Sequence, residues 1–213
     1  MDSTLIEQEV IDLVAASIGV ETEVSAITAR AMKGELDFSS SFRERVRLLK
    51  GVDADIFTKL RSVIKPTKGA RELIRAFKKM GVKTAVLSGG FIPLTGWLAD
   101  DLRIDYAFAN SLASDPETSK LTGEAVGHIV NAEKKRDLLF EIARQENIDL
   151  TQVVAVGDGA NDLLMMKAAG LGVAFNAKPL VQMEAQARLN GESLLDLLYI
   201  FGLTDEEIQS LIA

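Results

Sequence analysis

The chain has 213 residues, 47% hydrophobic and 26% charged, a balance that supplies an ordinary globular core and excludes disordered, collagen-like and low-complexity classes. Its 31 acidic against 24 basic side chains give a net charge of −7 with no isolated block of Lys or Arg, which argues against a non-specific grip on nucleic acid. With no cysteine the chain has no disulfide, thiolate nucleophile or thiolate metal site, and its single histidine, His128, cannot by itself form a multi-His centre or, without other support, a conventional Ser-His-Asp triad.

From residue 6 to 64, apolar residues recur at three-to-four spacing in four segments, 9–17, 21–33, 38–50 and 53–64. Gly19, Gly34 and Gly51 fall where such helices stop, so this stretch predicts a small helical bundle. Pro66 marks a change of regime, after which helices alternate with short β-branched runs. The pattern predicts a helix over 69–80, a buried strand over 82–87, a helix over 91–102 and a strand over 105–109. Residues 110–127 are turn-rich and predict a hairpin. A long amphipathic helix follows over 132–146, then a strand over 152–156, a helix over 160–169, a strand over 172–175 and helices to the end. Strands alternating with helices predict an α/β fold, a parallel sheet covered on both faces. The most apolar stretch, 194–203, is interrupted by Asp196 and falls short of the ~20 residues of a membrane span. The N-terminus lacks the basic flank and apolar run of a signal peptide, so a soluble, cytoplasmic protein with neither membrane nor nucleic-acid partner is expected.

In such a sheet, ligands sit beyond the carboxyl ends of the strands. One predicted strand empties into Ser88-Gly89-Gly90, a hydroxyl beside two glycines whose amides can approach an anion closely; a plain strand-to-helix turn has the same pattern. Another empties into Gly157-Asp158-Gly159-Ala160-Asn161-Asp162, a hard oxygen cluster that suits Mg²⁺, with an Asx turn and helix cap as the simpler reading. Lys135, near the start of its helix, can supply a fixed positive charge to a transferring phosphoryl group, or merely face solvent.

Taken together, Met1-Asp2-Ser3-Thr4-Leu5-Ile6, Ser88-Gly89-Gly90-Phe91, Lys135 and the GDGAND run resemble the haloacid-dehalogenase superfamily, and over essentially the whole length its phosphoserine phosphatase family. The resemblance implies a HAD-like Rossmannoid core over 1–6 and 66–213, with a four-helix cap inserted over 7–65. It also implies Mg²⁺-dependent hydrolysis of O-phospho-L-serine through an aspartyl-phosphate. In that reading Asp2 acts as general acid and base, and Asp2, Asp158 and Asp162 form the metal site, Asp162 from behind. Ser88, Gly89, Lys135 and Asn161 hold the phosphoryl group. In the cap, Arg45 grips the substrate carboxylate, Glu9 meets its ammonium group, and Met32 and Phe38 close apolar surface over it.

The family's first motif is Asp-x-Asp-x-Thr, and here only its last four positions are present, so the nucleophilic aspartate is expected one residue before Met1. The central strand that leads into the motif is likewise expected outside these 213 residues. The chain is therefore expected to be a fragment, inactive without that aspartate. Two alternatives stand beside this reading: a catalytically dead phosphoserine-binding protein, and a related phosphatase or phosphotransferase for another small phosphate.

Overall fold

The computed structural model describes all 213 residues. Four helices come first: α1 (Val10–Ile18), α2 (Glu21–Met32), α3 (Phe38–Arg47) and α4 (Ile56–Leu60). Gly19 ends α1 in the left-handed conformation that a residue without Cβ adopts at no steric cost. The Asp37 side chain caps α3 by accepting from the Ser40 amide at 3.0 Å. The fourth helix is much shorter than the apolar spacing predicts, because the backbone ahead of it is committed elsewhere. Gly51 N donates to Leu121 O, Leu121 N donates to Val52 O and Ala54 N donates to Ser119 O. The loop between α3 and α4 is thus an added rung on a distant hairpin.

The second part runs α5 (Ala70–Lys79), β1 (Ala85–Phe91), α6 (Ile92–Leu102), β2 (Tyr106–Ser114), β3 (Leu121–Val126) and α7 (Ala132–Gln145). It continues with β4 (Val154–Gly157), α8 (Leu163–Ala168), β5 (Leu171–Phe175), α9 (Pro179–Glu184), β6 (Ala187–Leu189), α10 (Leu197–Ile200) and α11 (Asp205–Ile212). Two three-stranded ladders form, in the orders β1-β2-β3 and β4-β5-β6. All pairings are parallel except that of β2 with β3, the hairpin the turn-rich segment predicts. Both β1 and β4 are end strands of their ladders.

Strand β1 begins three residues later than its hydrophobic run, because Asp105 Oδ2 takes both the amide and the hydroxyl of Thr84 at 2.8 Å. It also continues through Ser88-Gly89-Gly90, which the sequence pattern puts in a turn. The β1–β2 register breaks after Leu87 and resumes at Phe91 opposite Asn110, so the glycines form an irregular strand end. Strand β6, with exposed Arg188 at its centre, carries no apolar run and is not legible in the sequence.

The buried interior falls into three clusters. The largest joins helices of the first part to the second through Ile6, Val10, Phe42, Leu49, Phe91 and Leu98. An aromatic path runs from Phe38 to Phe42 (6.3 Å between ring centroids), from Phe42 to Phe91 (5.9 Å) and from Phe91 to Phe57 (5.2 Å), tying the helical part to the end of β1. The other two clusters pack α5, α10 and α11 on one side of β5, and α7, α8 and α9 on the other, so this ladder is covered on both faces. No helix is long and apolar enough to cross a membrane.

Candidate active site

The carboxyl ends of β1 and β4 open into one cavity of about 1210 Å³ whose opposite wall is made by α1, α2 and α3. Every residue that the resemblance assigns to the site lines it: Asp2, Glu9, Met32, Phe38, Arg45, Ser88, Gly89, Lys135, Asp158, Asn161 and Asp162. His128 is exposed and lies outside it.

On the sheet side the most buried polar groups are Ser88 (1% exposed), Lys135 (3%) and Asp162 (5%). Lys135 Nζ donates to Asp162 Oδ1 at 2.7 Å, and Gly159 N donates to Asp162 Oδ2 at 3.2 Å. Both oxygens of Asp162 are therefore engaged: it holds the lysine and the GDGAND turn in place. Gly157 is required for this arrangement, since a Cβ there would lie 2.5 Å from Asp162 Cβ. Likewise a Cβ on Gly159 would lie 2.5 Å from Asn161 Oδ1.

Asp2 occupies the turn in which Thr4, Leu5 and Ile6 all donate to Met1 O, and Ser3 takes a left-handed φ of 52°. Its Oδ2 accepts from Val10 N, at the start of α1, at 3.0 Å. Its Oδ1 is buried without any hydrogen-bond partner. Burial raises the Asp2 carboxyl to about 6, overriding the chain's ammonium group and the Val10 amide, which pull it down. Burial also raises Asp158, against the hydrogen bond that Thr4 Oγ1 donates to its Oδ1 at 2.8 Å. At the same point, burial and the charge of Lys135 lower the Met1 ammonium group.

The donor set fits a hard divalent cation of the Mg²⁺ type. The Asp158 carboxylate and the Asp2 turn line the same cavity, a set of hard oxygen donors, and burial disfavours the charged form of both carboxyls. No three acidic or histidine side chains converge into a ready-made cage. That is the habit of Mg²⁺, which takes one or two carboxylates and fills its octahedron with water and phosphate oxygens. Both Asp162 oxygens are engaged within the protein, so it would stand behind such an ion rather than on it.

The opposite wall is different in character. Arg45 is half-buried while Arg43 and Arg47 on the same helix are exposed, which separates it from the mixed-charge face it shares in sequence. Its Nε donates to Ser41 O at 3.4 Å; burial lowers its affinity for the proton, and Glu9 and Asp12 work against that. Glu9 accepts from Ser3 Oγ at 2.5 Å. Phe38 reaches across the cavity to the sheet, where a Cβ on Gly89 would lie 2.8 Å from its ring tip. Only glycine leaves room for that contact. Met32 stands at the rim, 72% exposed.

Sequence reasoning left out Thr4, which orients Asp158, and Asp12, which lines the cavity beside Arg45. Thr4 was within the quoted motif. Asp12 has no local signal, because it reads as the polar face of α1.

A family model described as haloacid dehalogenase-like hydrolase matches residues 1–170. The phosphoserine phosphatase of Saccharomyces cerevisiae is 47% identical over 209 residues, which cover 98% of this chain and 67% of that protein. That of Streptomyces coelicolor is 48% identical over 210 residues, 99% of this chain and 51% of the relative. The chain thus spans from about half to two thirds of the length of these relatives. The solved structure of a phospho-aspartyl intermediate analogue of phosphoserine phosphatase matches with a TM-score of 0.87 at 42% identity, covering 94% of this chain and 95% of that one. A cavity that sets buried Ser88, Lys135 and two carboxylates against Arg45 and Glu9, on a chain so matched, leads to one conclusion: the chain belongs to the haloacid dehalogenase-like hydrolases, among the relatives of phosphoserine phosphatase.

Proposed function

We propose that this chain provides the substrate and metal sites of a Mg²⁺-dependent phosphatase that hydrolyses O-phospho-L-serine to L-serine and phosphate. The observation that carries this reading is the two-sided cavity, with phosphate-type donors on the sheet wall and an Arg45–Glu9 pair on the helical wall. A small zwitterion bearing a phosphoryl group matches both walls at once.

In this reading, Ser88 and Lys135 hold the phosphoryl oxygens, aided by the Gly89 amide and Asn161. Transfer of this kind depends mainly on such positioning and charge neutralisation. The Asp2 backbone carbonyl and the Asp158 carboxylate would hold the metal, which would supply charge neutralisation at the phosphoryl oxygens. Asp2, whose buried carboxyl holds its proton more tightly than a free aspartate, gives a proton from its protonated fraction to the departing serine oxygen; it then takes one from water in the second step. The phosphoryl group is carried in between by an aspartate directly ahead of Met1, as the family motif implies, which divides one difficult displacement into two. Arg45 forks onto the substrate carboxylate and Glu9 takes the ammonium group. Phe38 and Met32 exclude water above them.

The test is phosphate release in Mg²⁺ by the chain carrying an aspartate ahead of Met1, on phosphoserine and on an aryl phosphate. Arg45→Ala is expected to depress phosphoserine turnover far more than aryl phosphate turnover. Equal losses on both would reject the carboxylate role, and turnover by the 213 residues alone would reject the assigned nucleophile.

A further inference from the structure

Asn110 is 2% exposed and carries a polar side chain into the interior, at the residue where β2 stops pairing with β1 and turns to β3. Both ends of its amide are used. Nδ2 donates to Gly89 O at 2.8 Å, and Oδ1 accepts from Val130 N at 2.7 Å. These are the two backbone segments that deliver Ser88 and Lys135.

On the first side, holding Gly89 O fixes the Gly89–Gly90 peptide plane. In a trans peptide the N–H points away from the C=O, so the same plane aims Gly90 N–H away from Asn110. Gly90 N donates to Ser88 Oγ at 2.9 Å. With that lone pair occupied, the Ser88 hydroxyl is oriented and its proton remains free to donate to an anionic oxygen. On the second side, Val130 directly precedes Asn131, the cap of α7, whose side chain accepts from Lys134 N at 2.9 Å and whose carbonyl accepts from Lys135 N. Through this short relay the position of Asn110 sets where α7 starts and where Lys135 enters the site.

We propose that Asn110 is a positioning residue of the phosphate site: its side-chain amide bridges the Ser88 loop and the start of the Lys135 helix, and so fixes the distance between the two phosphoryl donors. The inference rests on the reading of Ser88 and Lys135 as phosphate ligands. It requires an amide at position 110, one donor and one acceptor at opposite ends, and neither Asp nor a hydroxyl residue supplies both.

The test measures binding of inorganic phosphate and, separately, of L-serine to the 213-residue chain in Mg²⁺, by calorimetry. L-serine engages the Arg45 and Glu9 wall and lacks the phosphoryl group, so it reports any general loss of structure. Asn110→Ala is expected to weaken phosphate about 10- to 100-fold, the range seen when the hydrogen-bond partner of a metal-ligating side chain is removed, with L-serine binding unchanged. In a cycle with Ser88→Ala the two losses are expected to be non-additive, because Asn110 acts partly through Ser88. Asn110→Asp keeps the size and the acceptor toward Val130, and replaces the donor toward Gly89 with an oxygen that repels the Gly89 carbonyl and is negatively charged when ionised. It is expected to show the same selective loss, and serves if the alanine variant fails to fold. Phosphate binding as in the parent, equal losses of both ligands, or full additivity with Ser88→Ala would overturn the proposal. If the parent chain itself bound neither phosphate nor L-serine, the phosphatase reading would fall first and this inference with it.

Discussion

Asp2→Asn isolates the conflict between stability and chemistry in this site. The Asp2 carboxyl rises from 3.8 to about 6, with burial the largest cause. Converted at about 1.4 kcal/mol per tenfold change in proton affinity, the charged form costs the fold roughly 3 kcal/mol once it is fully ionised. The sign follows from proton counting. Between pH 4 and 6 the folded chain binds more protons at Asp2 than the unfolded chain, so its stability falls as pH rises through that window. Below pH 4 both states are protonated and the penalty vanishes. Asn cannot ionise, and its amide replaces the carboxylate whose Oδ1 has no partner. Asp2→Asn is therefore expected to match the parent near pH 4 and to exceed it by up to about 3 kcal/mol above pH 6. Urea unfolding with chelator present, at half-unit steps from pH 4 to 8, measures this directly. In a chain carrying an aspartate ahead of Met1, the general-acid role proposed for Asp2 predicts that the same substitution lowers turnover by about 10²- to 10⁴-fold. A stability difference that does not change with pH, or an asparagine variant weaker than the parent at pH 7.5, would refute the reasoning.

Two further substitutions probe the walls. Lys135→Met leaves Asp162 buried without its 2.7 Å partner, so a loss of about 3–5 kcal/mol in unfolding free energy is expected, together with loss of phosphate binding. An unfolding midpoint equal to that of the parent would show that the pair is not held as described. Gly89→Ala drives a methyl group to 2.8 Å from the Phe38 ring, so about 1–3 kcal/mol of strain is expected, with KM for phosphoserine raised. Phe38→Ala in the same chain is expected to relieve the strain; a double variant no more stable than Gly89→Ala alone would place the clash elsewhere.

Much of the site was legible in the sequence because its signals are local. A glycine pair after a β-branched run, and two aspartates and an asparagine within a six-residue turn, are signals carried within a few residues, although each also fits a plain turn and gains its meaning from their combination. The regular alternation of apolar runs with helical spacing likewise announced the α/β class, and the four N-terminal helices follow from three-to-four periodicity with glycine stops. Those features depend on residues within a turn or two of one another.

Tertiary contacts decided the rest. Asp53 to Ile64 has helical spacing, but pairing of Gly51, Val52 and Ala54 with the distant hairpin leaves only Ile56–Leu60 helical. Thr84 carries strand-forming chemistry, yet Asp105 claims its amide. Arg45 is indistinguishable from Arg43 and Arg47 in sequence, and only the packing of α3 turns it into the cavity while they face solvent. Asn110 sits in a segment that reads as turns, and its two hydrogen bonds reach partners 20 and 21 residues away in the chain. A sequence fixes what each residue can donate, accept or bury. Which group meets it across the fold is a matter of long-range packing, and in this protein that packing brings Asp2, Lys135 and Asp158 together in one cavity.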